Sequence, residues 1–136
     1  EKLMQKKNLF FSYVLFEYQG KILVNKRDGK DIWQSLFEFY LLESDELIQW
    51  DKNTISAWIQ QQFADLQFDI AHVSATQSQQ LTHQKIRGQF VKINLKNMPF
   101  ALKKHQWIDV KKLNELAFPK FINQYLEIDF LQTNLF

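Results

Sequence analysis

An aromatic and β-branched run, Asn8–Tyr18 (NLFFSYVLFEY), meets a Gln19-Gly20 turn and then Lys21–Lys26 (KILVNK), whose apolar residues Ile22 and Val24 alternate. Chain of this kind cannot stay solvated. It predicts a β-hairpin with much of its side-chain surface turned inward. Material for a core is ample, since hydrophobic residues make up 46% of the chain and Phe occurs thirteen times. At 136 residues the chain makes one domain, long enough to bury about two-thirds of its unfolded surface.

The rest of the pattern alternates less regularly. Arg27–Lys30 (RDGK) is a loop, and Asp31–Glu43 (DIWQSLFEFYLLE) reads as loop then strand. Asp51–Leu66 predicts a helix, because Ile55, Trp58, Ile59, Phe63 and Leu66 fall on one stripe; Asn53 or Thr54 is the expected cap. His72–Gln79 predicts a half-exposed strand. In Leu81–Leu95 the apolar residues Ile86 and Phe90 share one parity with Gly88, whereas Val91, Ile93 and Leu95 take the other. That switch beside a glycine predicts a bulge or a pronounced twist. Asn97–Pro99 turns the chain, Trp107-Ile108 is a short strand and Val110–Leu116 a short helix. A last helix starts at Pro119, with a stripe of Phe118, Phe121, Ile122, Tyr125 and Leu126. Strands, helix, strands, helix, without regular βαβ alternation, predict an α+β domain with a mixed or antiparallel sheet flanked by helices.

Several chemistries are excluded by what is missing. The chain has no cysteine, so disulfides, thiol catalysis and iron–sulfur ligation within it are ruled out, and a reducing cytosol suits it. Three isolated glycines make no phosphate loop. His72, His83 and His105 lack ligand-like spacing, so no zinc site is expected. Glu43, Asp45 and Glu46 read as an exposed loop face, and Trp33, Phe37 and Phe39 as core rings rather than base-stacking platforms. No apolar run reaches a membrane-spanning length. Net charge is +2, compatible with phosphate contact without arguing for it.

Three segments in order nevertheless resemble one family. Gly29–Glu43 carries Trp33, Leu36, Glu38 and Phe39; Leu81–Leu95 opens on Leu81-Thr82-His83; Trp107–Glu127 carries Trp107, Ala117 and Pro119. The series resembles the C-terminal domain of the A/G-specific adenine DNA glycosylases, the MutY family. Leu81 stands where that family has Phe, and Ser35 and Tyr40 where it tends to have Gly and Pro.

The resemblance implies a Nudix-like fold over residues 8–131, with 1–7 as the end of an interdomain linker and 132–136 as a C-terminal tail. It also implies no hydrolase, since the helix that would carry metal-binding carboxylates reads Ile59-Gln60-Gln61-Gln62-Phe63, with acids only at Asp51 and Asp65. By resemblance, the domain is non-catalytic and recognises 8-oxoguanine opposite adenine in double-stranded DNA through Thr82, His83 and Leu81. Lys85, Arg87, Arg27 and Lys30 are candidate phosphate contacts. The parent enzyme's catalytic domain, with an iron–sulfur cluster, would lie N-terminal in the same protein, in a bacterial-type cytoplasm. A Nudix-type nucleotide diphosphate hydrolase is the alternative. A protein-interaction module is another, with the tail Gln132–Phe136 docking a replication clamp.

Overall fold

The computed structural model describes residues 7–28 and 33–127. Their elements are β1 (Lys7–Tyr18), β2 (Lys21–Lys26), β3 (Phe37–Glu38), β4 (Tyr40–Ser44), α1 (Lys52–Gln62), β5 (Phe68–Val73), β6 (Gln77–Gln80), β7 (Gln84–Leu95), α2 (Phe100–Lys103), β8 (Gln106–Asp109), a 3₁₀ helix (Val110–Glu115) and α3 (Lys120–Tyr125). The expected hairpin is β1–β2. Gln19 and Gly20 both have positive φ, 51° and 78°, the pairing that matches a two-residue turn to strand twist.

β1 and β7 form the spine of the sheet. They pair in parallel and in unbroken register, from Lys7 opposite Gln84 to Glu17 opposite Asn94. On its outer edge β1 meets β4 and β2, both antiparallel. β7 meets β6 and β5, also antiparallel, and β3 and β8 pair with β2. The result is an α+β domain with one mixed sheet.

Helices cover both faces of it. On one side Phe11, Tyr13, Ile86 and Phe90 pack against Phe118 and, from α3, Phe121, Ile122 and Tyr125. The Phe90 and Tyr125 rings stack 4.2 Å apart at 6°. On the other side Val14, Phe16, Val91 and Ile93 pack against Ile55 and Ile59 of α1.

This double burial corrects the expectation of a bulge in Leu81–Leu95. Side chains of β7 alternate without interruption: Ile86 and Phe90 face α3 throughout, and Val91, Ile93 and Leu95 face α1. What switches is which half of each face is covered. The irregularity lies in the neighbouring strand, between Ile70 and His72. Gly88 is required because β1 comes close: a Cβ there would collide with the Phe11 carbonyl oxygen.

Local chemistry makes three further corrections. The α1 cap is Asp51, not Asn53 or Thr54. Thr54 N–H donates to Asp51 Oδ1 at 2.8 Å and Asp51 N–H donates to Thr54 Oγ1 at 2.9 Å, a reciprocal box. His72–Gln79 is not one strand. Ser74 interrupts it, its hydroxyl accepting from Phe90 N–H at 2.9 Å. The four-residue α2 after Pro99 was not expected.

Candidate functional site

Thr82 and His83 sit at the tip of the β6–β7 hairpin, both exposed. The register brings Gln80 opposite Lys85, and Leu81 N–H donates to Gln84 O at 2.7 Å. The Gln80 side-chain amide then ties the turn down, donating to Leu81 O at 2.7 Å and Gln84 O at 3.0 Å. Sequence reasoning overlooked Gln80, and its only signal was a polar residue next to the turn. Leu81 does not project with its neighbours; half-buried, it packs against the α3-side core. The tip is therefore a backbone held from below, presenting a hydroxyl and an imidazole outward. Thr82 is exposed and its hydroxyl makes no hydrogen bond among the described residues, so no described group takes up its donor or its two acceptor sites.

The basic candidates separate. Lys85 and Arg87 lie two residues apart on β7, half-exposed, on the α1 side of the sheet. Arg27 has other employment. Its guanidinium Nη1 lies 2.7 Å from Glu38 Oε1, both side chains being 12% exposed, and it sits 5.9 Å from the Phe11 ring and 5.8 Å from Trp33. Tyr13 OH donates to the same carboxylate oxygen at 3.2 Å. Through Tyr13 and Phe11 this ion pair ties the segment bearing Trp33 to β1. Lys30 and Gln132–Phe136 lie outside the described residues.

The helix that could have carried a metal centre is polar but not acidic. Gln60, Gln61 and Gln62 are exposed on α1. Among the described residues no group of three or more His, Asp or Glu converges on one point. A hard divalent cation needs several oxygen ligands, and the described residues of α1 supply amides where such carboxylates would stand. Titration is shifted elsewhere: burial, then Lys104, lowers His105. Burial also raises Tyr40.

Comparison with known proteins adds the lineage. A family model described as NUDIX domain matches residues 12–127. The chain belongs to the NUDIX domain family. Solved structures share this NUDIX architecture at low identity. The Escherichia coli ORF135 protein is 13% identical, with a TM-score of 0.59 over 96% of this chain and 94% of that one. A MutT protein of methicillin-resistant Staphylococcus aureus, described as a family Nudix hydrolase, is 18% identical, with a TM-score of 0.56 over 93% and 99%. A MutT protein from Methanosarcina mazei is 13% identical, with a TM-score of 0.57 over 95% and 97%. At such identities the likeness is one of fold. No curated protein matches the chain in sequence. Among the described residues, no helix is long and apolar enough to cross a membrane.

Proposed function

We propose that this NUDIX domain reads 8-oxoguanine opposite adenine in double-stranded DNA, as the non-catalytic lesion-recognition domain of an adenine DNA glycosylase. The observation that carries the reading is the exposed Thr82 hydroxyl on a turn whose carbonyls are fixed by Gln80. Guanine offers N7 as an acceptor. Its oxidised form carries N7–H, a donor, and gains O8 as an acceptor. A hydroxyl can accept from N7–H, and backbone N–H groups beside it can donate to O8 or O6. On undamaged guanine the same placement sets acceptor against acceptor unless the hydroxyl turns its own hydrogen inward and gives up its other partner. A frustrated polar contact of this kind costs about 1–3 kcal/mol, roughly tenfold to a hundredfold in affinity.

His83 supports the turn and contacts the DNA backbone in this reading, and Lys85 and Arg87 meet phosphate. Base excision itself, with the iron–sulfur cluster, belongs to a catalytic domain of the same protein.

The second reading, hydrolysis of nucleoside diphosphate derivatives, is favoured by the MutT and Nudix hydrolase structural neighbours. The glutamines of α1 weigh against it. One pair of measurements separates the two. The chain is expected to bind a duplex carrying 8-oxoguanine opposite adenine more tightly than one carrying guanine there, and to release no phosphate from nucleotides with magnesium. Magnesium-dependent turnover with no lesion preference would reverse the choice.

A further inference from the structure

Among the described residues, helix α1 covers the face of the sheet on its side over only part of its length. α1 packs on Val14, Phe16, Val91 and Ile93. Next comes a clamp: Trp50 donates its ring N–H to Ser12 Oγ at 2.7 Å and its backbone N–H to Gln89 Oε1 at 2.6 Å. The segment before it crosses the sheet from Ser44 on β4, and Gln49 Oε1 accepts from Thr76 Oγ1 at 3.1 Å, beyond β7. Past this strap no described helix packs on the face, and Asn8, Ser78 and Gln80 are exposed.

Register places two rows there. Ser44, Phe10, Arg87 and Ser78 line up across β4, β1, β7 and β6. Nearer the hairpin tip come Asn8, Lys85 and Gln80. Strand spacing makes the longer row about 14 Å wide, and the rows stand ~7 Å apart. A depression of about 400 Å³ lies beside Phe10, with Asn8, Ser44 and Asp45 in its lining. Asp45 is the acidic residue of that lining among the described residues.

Unpaired cations also occur elsewhere among the described residues, at Lys103, Lys104, Lys111 and Lys112; here they stand beside the hairpin tip. Arg27 is paired with Glu38, Lys92 with Glu17 and Lys96 with Asp69. Lys85 and Arg87 have no carboxylate partner among the described residues, and uncharged donors surround them: Asn8, Ser78 and Gln80, all exposed. Two uncompensated cations on one face, amid uncharged hydrogen-bonding groups and one half-exposed aromatic ring, suit a polyanion with an apolar sugar.

We propose that this open half-face is the track for the sugar–phosphate backbone of the DNA strand next to the lesion, with Lys85 and Arg87 on successive phosphates and Phe10 beneath a sugar. The proposal rests on the DNA-reading role above for its choice of ligand, not for its test. Lys85 follows Thr82 by only three residues, so a strand leaving the tip along β7 passes over it directly.

The test is fluorescence anisotropy of the whole chain on an undamaged duplex and on the lesion duplex, titrated with salt. Replacing two phosphate contacts (Lys85→Gln with Arg87→Gln) should lower the slope of log affinity against log salt by about 1.8 on both duplexes. A control pair, Lys52→Gln with Lys96→Gln, lines the groove between α1 and β5 at the covered end and should leave the slope unchanged. Thermal melts verify that each variant folds. An unchanged slope in the first pair, an equal loss in the control, or no duplex binding by the wild type at low salt would each overturn the track. A reduced slope without any lesion preference would keep the track and remove Thr82 as the reader. Retained DNA binding with loss of an acidic peptide ligand instead would assign the face to a protein partner and overturn the proposal.

Discussion

Gln89→Leu is the substitution whose consequence follows most directly from the structure. Gln89 is 4% exposed in the middle of the central strand, where volume and patterning alone would favour Leu. Its amide makes three hydrogen bonds: Oε1 accepts from Trp50 N–H at 2.6 Å, and Nε2 donates to Trp50 O at 3.2 Å and Ser74 O at 2.9 Å. Leucine would keep the bulk and strand three polar groups. A fully buried orphan costs about 1–3 kcal/mol; Trp50 is half-buried, so water satisfies part of its loss, and the sum falls near 2–4 kcal/mol. For a domain of this size that lowers the melting temperature by roughly 7–14 °C. Urea and thermal melts by circular dichroism read it out. Ser12→Ala removes only the Trp50 ring bond and should cost about 1 kcal/mol. The double variant should lose less than the sum, because both residues hold the same tryptophan. A Gln89→Leu protein melting within 2 °C of wild type would refute the claim that this amide anchors the strap.

Two other outcomes follow from local geometry. Gly88→Ala forces a methyl onto the Phe11 carbonyl and should destabilise by at least about 1–3 kcal/mol, visible as a lower urea midpoint; a neutral result would mean that the parallel pair moves apart freely. Asp51 is held below the usual carboxylate range by Thr54 N–H and the Thr54 hydroxyl. A lowered folded pKa makes its contribution present above the unfolded value near 4 and lost as pH falls through the folded one. Asp51→Ala should therefore lower the melting temperature more at pH 7 than at pH 3. An equal drop at both would put the cap's effect elsewhere.

The sequence carried the elements whose signals are local. Asn8–Lys26 announced its hairpin through alternation and Gln-Gly, and the α1 stripe put Ile55 and Ile59 on the buried side. The mixed sheet on a Nudix-like scaffold was legible through separated motifs, each weak, whose order fitted one fold. Distant pairings were not legible. The change of parity in Leu81–Leu95 looked like a bulge because one strand cannot reveal that different helices cover its two halves. Glu38 and Arg27 matched a motif position and a candidate phosphate contact, yet they meet each other beneath Phe11 and Trp33. Gln89 lies thirty-nine residues from the Trp50 it secures. Thr82 and His83 could be placed at the end of a strand, but the Gln80 amide that fixes their turn leaves no local pattern to read.

The sharpest experiment compares wild type, Thr82→Val and Thr82→Ser for binding to duplexes that differ only in 8-oxoguanine against guanine opposite adenine. Valine matches the shape without the hydroxyl, and serine restores the oxygen. The expected result is a wild-type preference of about tenfold to a hundredfold, abolished by valine, retained by serine, with affinity for undamaged duplex nearly constant across the three. Equal preference in wild type and the valine variant would show that the Thr82 oxygen does not sense the lesion.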